Sequence, residues 1–239
     1  MESGQQPENK GKKEKVRLMF NNIAGRYDFL NHFLSLGIDK CWRRKLIRLM
    51  GKHNPARILD VATGTADLAI AAAKIHPKKI TGVDIAEEML AIGKLKVEKC
   101  RLQNLIDLQA ADSENLPFAD ESFDAVIVAF GVRNFENLAK GLDEMYRVLA
   151  PEGYVYILEF SKPQKSPFKQ LYGFYFNHIL PVLGRIVSKD MAAYTYLPES
   201  VGAFPSGQEF IEVMKKAGFS HVNGSQFTFG VATLYSGLK

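Results

Sequence analysis

The sequence predicts an α/β fold in which a doubly wound, mostly parallel sheet of seven strands ends in an antiparallel hairpin strand. The first observation is that short apolar runs alternate with helical stretches, which is the pattern of strand, crossover helix and parallel strand. The apolar runs are Arg57–Val61, Lys79–Val83, Asp107–Ala110, Phe123–Ala129 and Gly153–Glu159, and the helical stretches are Asp67–Lys74, Glu87–Arg101 and Leu138–Leu149. The second observation is that two β-rich runs, His221–Thr228 and Val231–Ser236, flank Gly230 and predict the hairpin.

Two of these runs are candidates for the centre of the sheet. Residues 125–129 and 154–158 are almost entirely apolar. Parallel strands that helices cover on both faces have such continuous apolar runs instead of an alternation of apolar and polar residues. We therefore expect the strands that contain these two runs to be central.

Helices are expected before and after the strand-rich region. Apolar residues at near-helical spacing predict helix and loop over Val16–Leu36, and a second helix over Lys40–Met50. A further helix is expected over Ser206–Ala217, where Gly218 ends it.

Composition and charge limit the function classes. The polar, lysine-rich residues 1–15 are expected to be a disordered basic tail, which leaves residues 16–239 as a single domain. The formal net charge is +5, but no recognised nucleic-acid motif supports binding to nucleic acid. Contact with a membrane surface stays possible because residues 42–45 (Trp-Arg-Arg-Lys) combine an aromatic ring with three cations. Isolated Cys41 and Cys100 indicate neither a disulfide nor a metal site. With no segment that resembles a signal peptide, a cytoplasmic protein is expected.

Residues 161–205 interrupt the α/β pattern and are interpreted as an insertion that forms an acceptor or lipid-tail site. Its aromatic stretch, Phe168–Val187, approaches the length of a membrane span, but Lys169 and Arg185 would be costly in hydrocarbon. A lipid-tail channel, plain core and a homodimer surface are the alternatives for its apolar residues, and a channel or membrane-facing role is favoured. These residues are Tyr172, Phe174, Tyr175, Phe176, Leu180 and Val182. His178 is interpreted as a packing residue.

The first strand leads into a loop of small residues, around Gly64, that is followed at once by an alanine-rich helix. Such a loop lets a ligand approach the backbone and the free amides of the first helical turn. On small residues alone, an ordinary tight turn remains a competing interpretation.

Acidic residues at successive strand ends point to a specific ligand. Open α/β sheets bind ligands outside the carboxyl ends of their strands. Asp84 follows the second strand and is suited to ribose hydroxyls, while Asp112 follows the third and is suited to an adenine amine. Asp60, at the end of the first strand, suits an ammonium group, directly or through water. Together they match the donor groups of S-adenosylmethionine. A nicotinamide dehydrogenase is disfavoured because only the middle glycine of G-x-G-x-x-G is present.

Several motifs give the chain a resemblance to a known family. The segments LDVATGTADLA (59–69), GVDIAEEML (82–90) and ADSENLPFADESFD (111–124) resemble the motif series of class I methyltransferases, which have a Rossmann-like fold. More narrowly, the chain is similar to the menaquinone/ubiquinone biosynthesis methyltransferases. That likeness spans about Lys15 to Lys239 and includes MFNNIAGRYDFLN (19–31), AFGVRNF (129–135), LEFSKP (158–163) and YTYLPESV (194–201).

The resemblance implies cofactor contacts at Thr65, Asp84, Asp112 and Ser113. The chain departs from the family pattern at two positions. Ala66 stands where the family usually has glycine, and Ala129 stands where many members have serine. Neither change removes a carboxylate, so we interpret both as tuning of the loop.

Candidate catalytic residues follow the fourth strand. Methylation of an aromatic carbon requires a nucleophilic ring, aligned with the methyl group and shielded from water, and no metal. Arg133 could stabilise a phenolate, and Asn134 is next to it, but a structural ion pair of Arg133 with a nearby acid is an equally weighted alternative. Tyr27 and Asp28, in the N-terminal stretch expected to cover the cofactor, are secondary candidates for orienting the substrate.

The resemblance therefore implies an S-adenosylmethionine-dependent C-methyltransferase that converts demethylmenaquinol, a polyprenyl quinol, to menaquinol. It implies activity in the cytoplasm or at the inner face of the membrane. C-methylation of a ubiquinone precursor, a small-molecule O- or N-methyltransferase, and a cofactor-binding subunit without turnover are the alternatives.

Overall fold

Seven strands form one sheet in the computed structural model, which describes residues 11–35, 37–174 and 191–239. The strands are β1 (Arg57–Val61), β2 (Lys79–Asp84), β3 (Ile106–Ala110), β4 (Phe123–Ala129), β5 (Leu149–Phe160), β6 (Ser220–Phe227) and β7 (Ala232–Leu238). Their order in the sheet is β3-β2-β1-β4-β5-β7-β6. All neighbouring pairs are parallel except those of β7, which is antiparallel to both β5 and β6. The predicted fold class is confirmed.

The centre of the sheet matches the apolar runs of the sequence. Strand β4 is the middle strand, and residues 125–128 in it are fully buried. In the neighbouring β5, residues 155–159 are buried as well. By contrast, nearly all of the edge strand β6 is exposed. Burial on both faces explains why the two central strands lack the alternation of apolar and polar residues.

The described helices flank this sheet and agree with the predicted ones to within a few residues. They are α1 (Lys12–Leu34), α2 (Asp39–Met50), α3 (Asp67–Ala72), α4 (Glu87–Lys99), α5 (Leu138–Val148), α6 (Phe168–Phe174), α7 (Met191–Ala203) and α8 (Gln208–Lys216). Local chemistry sets several ends. Asn137 caps α5 by accepting a hydrogen bond from the Lys140 amide at 3.0 Å, and α4 begins with two acids, which favour a helix N-terminus.

The first helix begins earlier than the sequence predicts. Helix α1 starts at Lys12, so the prediction of a disordered tail is wrong for residues 12–15, and residues 1–10 lie outside the described ranges. Lysines of this segment have long-range partners. The Lys12 ammonium donates to the Phe135 carbonyl at 2.5 Å, and Lys13 reaches the carboxylate of Asp112. These contacts tie the start of the helix to the carboxyl edge of the sheet.

The core lies on both faces of the sheet. In β1, Ile58 packs with α2, α3 and α4 on one face, while Leu59 and Val61 pack with α5 and α8 on the other. Helix α5 buries positions spaced for one helical face, among them Leu142 and Met145. Trp42 and Arg43 are also buried, so the hypothesis that they contact a membrane is wrong for these two residues. Arg44 and Lys45 remain exposed.

Part of the predicted insertion is described. Helix α6 follows the carboxyl end of β5, and α7 precedes α8. The channel candidates Tyr175, Phe176, Leu180 and Val182, and also His178, lie outside the described residues. Within the described ranges, no helix combines the length and the apolar character needed to cross a bilayer.

A glycine in α5 provides a test of this packing. A Cβ at Gly141 would lie 2.4 Å from Cδ2 of the buried Phe135, so we expect Gly141→Ala to lower the free energy of unfolding by about 1–3 kcal/mol. Gly25→Ala in α1 is the matched control, because no described atom lies within 4 Å of that Cβ, and it should be neutral or stabilising by up to about 1 kcal/mol. Equilibrium urea unfolding measures both. Equal effects of the two substitutions would contradict the packing described here.

Candidate active site

The loop between β1 and α3 has an unusual backbone. Ala62, Gly64 and Ala66 have positive φ values of 53°, 56° and 64°. Only glycine adopts this conformation readily, and for alanine it costs about 1–2 kcal/mol, a kind of strain that concentrates at ligand sites. The departure from the family pattern at Ala66 therefore falls on a left-handed position, which explains why a glycine is usual there.

A pocket opens in front of this loop, at the carboxyl edge of the sheet. The space in front of the loop measures about 650 Å³ with the adjoining open solvent included, so the pocket is partly open. Its wall includes Gly64 and the acids Asp84 and Asp112. Apolar side chains from α1, α4 and the strand ends complete it: Val16, Phe20, Ile85, Met89, Phe130 and Phe135. A Cβ at Gly64 would lie 3.2 Å from Met89 Cε, so glycine keeps this wall open. A nucleoside with hydroxyl and amine donors fits this lining.

Asp84 is held in place by backbone amides. Its two carboxylate oxygens accept hydrogen bonds from the Gly64 and Ala86 amides, both at 2.8 Å. Burial raises the pKa of Asp84, although these amide hydrogen bonds oppose the shift. A carboxylate has about four lone-pair sites, so Asp84 can accept a further hydrogen bond from a ligand hydroxyl. The carboxylate is thus fixed at the place expected for a ribose contact.

Asp112 already has a cationic partner. Lys13 of α1 lies 2.7 Å from Asp112 Oδ2 and 3.3 Å from Glu114 Oε2, and the hydrogen bond to Asp112 raises the pKa of Lys13. The other oxygen, Oδ1, accepts the Glu114 amide at 2.9 Å. The carboxylate expected to accept an adenine amine is therefore shared with a side chain of the N-terminal helix. Ser113, next to it, also lines the pocket.

Asp60 lies beneath the loop, where it is 1% exposed. Burial raises its pKa to about 7, although a 2.7 Å hydrogen bond from the Thr63 hydroxyl opposes the shift. Asp60 is not part of the pocket wall. Of the two contacts considered from the sequence, a water-mediated one is the better fit to an ammonium group in the pocket.

Thr65 faces a polar cluster behind the loop instead of the pocket. Its hydroxyl donates to Asp28 of α1 at 2.5 Å and accepts from Lys96 of α4 at 3.1 Å. Lys96 also bonds Asp28 at 2.8 Å and pairs with Asp67, at the start of α3. Arg43 of α2 lies 3.3 Å from Asp67. This cluster joins four helices to the loop, so Asp28 and Thr65 are placed to support the site and do not line the pocket.

Arg133 and Asn134 lie in the short turn after β4, but they face different partners. Arg133 Nη1 lies 2.8 Å from Oε1 of the fully buried Glu159, so the ion pair considered from the sequence is present. Burial raises the pKa of Glu159, and Arg133 opposes this shift. Asn134 lines the cofactor pocket, and its Oδ1 accepts the Tyr196 hydroxyl at 3.0 Å. Arg133 and Tyr196 line an adjacent cavity that shares Phe135 with this pocket.

The predicted site residues therefore divide into two groups. Those that line the pocket are Tyr27, Gly64, Asp84, Asp112, Ser113 and Asn134. Those that lie next to it are Asp28, Asp60, Thr65 and Arg133. All ten belong to one region at the carboxyl ends of β1 to β4.

Sequence reasoning missed four residues of this region: Lys13, Lys96, Glu159 and Tyr196. Glu159 had a usable signal, since an acid inside an apolar strand needs a buried cationic partner. Tyr196 lies in a motif that the family resemblance includes. Neither lysine is distinguished by pattern, because surface lysines are common and their partners are distant in the chain.

The contact between Lys13 and Asp112 gives a first test of the site. Replacing Lys13 with methionine keeps an unbranched side chain but frees the carboxylate, so we expect S-adenosylhomocysteine to bind up to about fivefold more tightly. Isothermal titration calorimetry measures the affinity. Lys15→Met, at an exposed position on the same helix, is the control and should not change it. Weaker binding by the Lys13 variant would instead assign that side chain a supporting role.

The buried carboxyl of Asp60 gives a second test. Because its folded-state pKa is raised to about 7, its stabilising contribution is full below its unfolded pKa of about 4 and is lost as the pH rises to about 7. We expect the free energy of unfolding of the wild type to fall relative to Asp60→Asn across this range. Denaturant unfolding without cofactor measures the difference. The exposed Asp107→Asn is the control, and parallel pH profiles for wild type and Asp60→Asn would contradict the assignment.

Comparisons with known proteins identify the family of the chain and agree with its fold. Residues 8–239 match the ubiE/COQ5 methyltransferase family. A demethylmenaquinone methyltransferase of Porphyromonas gingivalis is 50% identical over 230 residues, covering 95% of this chain and 94% of the relative. A ubiquinone/menaquinone biosynthesis C-methyltransferase of Geotalea daltonii is 48% identical, covering 95% and 97%. The fold resembles a SAM-dependent methyltransferase from Aquifex aeolicus, with a TM-score of 0.55, 21% identity, and coverage of 77% and 81%. The chain belongs to the ubiE/COQ5 methyltransferase family.

Proposed function

We propose that this chain transfers a methyl group from S-adenosylmethionine to a ring carbon of a polyprenyl quinol and converts demethylmenaquinol to menaquinol. The observation that carries the proposal is the pocket in which Asp84, Asp112 and Asn134 converge, in a chain half identical to a relative named demethylmenaquinone methyltransferase. That likeness extends over nearly the whole length of both chains. The chain is thus an S-adenosylmethionine-dependent methyltransferase. Beyond this shared activity, we assign each residue of the site a role in binding the cofactor or the acceptor.

The cofactor would be held by the carboxylates at the strand ends. Asp84, whose oxygens are oriented by two amides, is placed to accept from ribose hydroxyls. Asp112 is placed to accept from the adenine amine once Lys13 yields one oxygen. When bound, S-adenosylmethionine supplies an electrophilic methyl group. Phe20 and Phe135, in the wall of the same pocket, would shield this methyl group from water.

The acceptor would lie at the end of β4. The quinol ring becomes nucleophilic when a phenolic proton is withdrawn, so the site has to orient the ring and stabilise negative charge on its oxygen. Arg133 lines the cavity next to the pocket, where its ion pair with Glu159 fixes the guanidinium, and the N–H groups outside that pair could donate to this oxygen. Asn134 and Tyr196, joined by a hydrogen bond, lie between this cavity and the cofactor pocket. Tyr27 of α1 also lines the pocket.

The other functions considered from the sequence predict different products. A ubiquinone-pathway methyltransferase would act on a benzoquinol instead of a naphthoquinol, and a small-molecule O- or N-methyltransferase would leave the ring carbon unchanged. A binding subunit without turnover would bind the cofactor and give no product. The Geotalea daltonii relative carries both quinone names, which keeps a ubiquinone precursor as the second candidate.

The location of the acceptor extends the proposal. A polyprenyl quinol resides in a bilayer, so the chain is proposed to act from the cytoplasm at the inner face of the membrane, with transient surface contact. Formation of a homodimer through the apolar surface of the insertion, residues 161–205, is the alternative to membrane contact. The net charge of +5 favours an anionic surface over a neutral one.

An activity assay with an Arg133 variant tests the proposal. Purified protein with labelled S-adenosylmethionine and reduced demethylmenaquinone should give menaquinol, identified by mass spectrometry. Arg133→Lys keeps a cation beside Glu159 but loses the guanidinium, so we expect kcat to fall by about 10²-fold with unchanged cofactor affinity. Arg147→Lys, at a partly exposed ion pair away from the pocket, is the control.

The reaction of the wild type and the comparison with Arg133→Lys test different parts of the proposal. No methyl transfer to the quinol by the wild type, with intact cofactor binding, would overturn the proposed reaction. A normal rate for Arg133→Lys would remove Arg133 from the catalytic assignment and leave it as a structural ion pair.

A further inference from the structure

An exposed aromatic pair protrudes where the hairpin meets α6. The Phe229 side chain, in the turn Thr228–Gly230 between β6 and β7, is 66% exposed. The ring of Phe168, at the start of α6, stacks on it with centroids 3.6 Å apart and an interplanar angle of 5°. Leu171, one turn further along α6, is 61% exposed. We call these three side chains the Phe229 face.

The backbone that presents Phe229 is in a costly conformation. Thr228 and Phe229 have φ values of 47° and 57°, and Gly230 follows at 95°. Left-handed conformations are unfavourable for threonine and phenylalanine, and such strain persists only where surrounding contacts impose it. One contact is on the buried side, where the Trp42 indole donates to the Thr228 hydroxyl at 2.9 Å. The turn is thus held so that a large apolar ring points into solvent.

The surroundings of the Phe229 face are basic. Helix α2, which supplies Trp42, exposes four cationic side chains: Lys40, Arg44, Lys45 and Arg48. The Lys45 ammonium lies 4.7 Å from the ring centroid of Phe227, immediately before the turn. Residues 161–174 contain three lysines and no acid, and residues 220–231, which lead into and out of the turn, contain no acid. An exposed apolar surface bordered by cations is complementary to an anionic bilayer, into which aromatic rings insert at headgroup depth.

The Phe229 face lies at the same edge of the sheet as the cofactor pocket. Phe160 ends β5 and is paired with Ala232, the first residue of β7, so the turn before β7 is at the carboxyl edge. A continuous set of aromatic rings joins the two places. Phe130, in the pocket wall, stacks on Phe160 at 4.4 Å, and Phe160 lies 6.2 Å from Trp42, which bonds the turn.

We propose that the Phe229 face docks on the surface of an anionic phospholipid bilayer, with Phe229, Phe168 and Leu171 inserted and the cations of α2 on the headgroups. The biological role of this docking rests on the proposed function, since a membrane-resident quinol would then approach at the same edge of the sheet as the pocket. The docking itself is independent of the reaction. It also relocates the membrane contact from Trp42 and Arg43, which are buried, to the turn that Trp42 supports.

Vesicle binding tests the docking without any substrate. The full chain should co-sediment with vesicles of phosphatidylglycerol and phosphatidylcholine and much less with phosphatidylcholine alone. Phe229→Ser should lower the bound fraction by about fivefold or more, as should the double variant Arg44→Glu and Lys45→Glu. The control for the first variant is Leu95→Ser, because Leu95 is equally exposed, at 66%, on α4 beside the opposite end of the sheet. Lys215→Glu with Lys216→Glu, on α8, is the control for the second.

Three outcomes would overturn the proposal. The first is that the wild type does not bind anionic vesicles. The second is that Phe229→Ser and the double variant of Arg44 and Lys45 both bind as their controls do. The third is that analytical ultracentrifugation without lipid shows a dimer that Phe229→Ser abolishes, because this would assign the Phe229 face to self-association. Wild-type thermal stability of each variant shows that it is folded.

Activity measurements separate this proposal from the proposed reaction. With a water-soluble, short-chain demethylmenaquinol, Phe229→Ser should react like the wild type. With the long-chain quinol in anionic vesicles, the same variant should lose rate in proportion to its lost binding. Activity on the soluble quinol together with equal vesicle rates for wild type and Phe229→Ser would overturn the docking and leave the reaction intact.

Discussion

Parallel pairing of β1 to β4 is the constraint on which the rest of the molecule depends. It places the carboxyl ends of four neighbouring strands at one edge, so the side chains that follow them are neighbours although they are far apart in the chain. The same pairing requires both faces to be covered by helices, which buries the strands completely at the centre. The chain must also turn sharply at that edge, and Ala62, Ala66 and Phe130 adopt left-handed conformations there.

Three acids at this edge are stabilised in different ways, and this difference organises the site. Asp84 accepts two backbone amides, Asp60 accepts a threonine hydroxyl, and Glu159 has the guanidinium of Arg133. Burial raises the pKa of all three. Amide hydrogen bonds leave lone pairs for a ligand, whereas an ion pair fixes both partners. Asp84, the carboxylate proposed to bind the ribose, is thus the one that can still accept hydrogen bonds from a ligand.

Helix α1 closes the site through contacts near its beginning and further along its length. Lys12 and Lys13 hold its first turn to Phe135 and Asp112, while Asp28 joins the polar cluster of Lys96 behind the loop. Val16 and Phe20 between them form part of the pocket wall. Because charged contacts hold a helix whose apolar side faces the cofactor position, cofactor binding and the position of α1 are coupled.

Local patterns in the sequence were sufficient for the fold and for the strand-end acids. Periodicity distinguishes strands from helices, and the residue after each apolar run is read directly, so Asp60, Asp84 and Asp112 were placed correctly at one edge. Tertiary structure alone decided which residues share a contact. Lys13 meets Asp112 across 99 residues of sequence, and Arg133 meets Glu159 across 26. Such pairs depend on how strands and helices pack, and no local pattern records that packing. The same reason explains why Thr65 turns away from the pocket and why Trp42 is buried behind the turn that exposes Phe229.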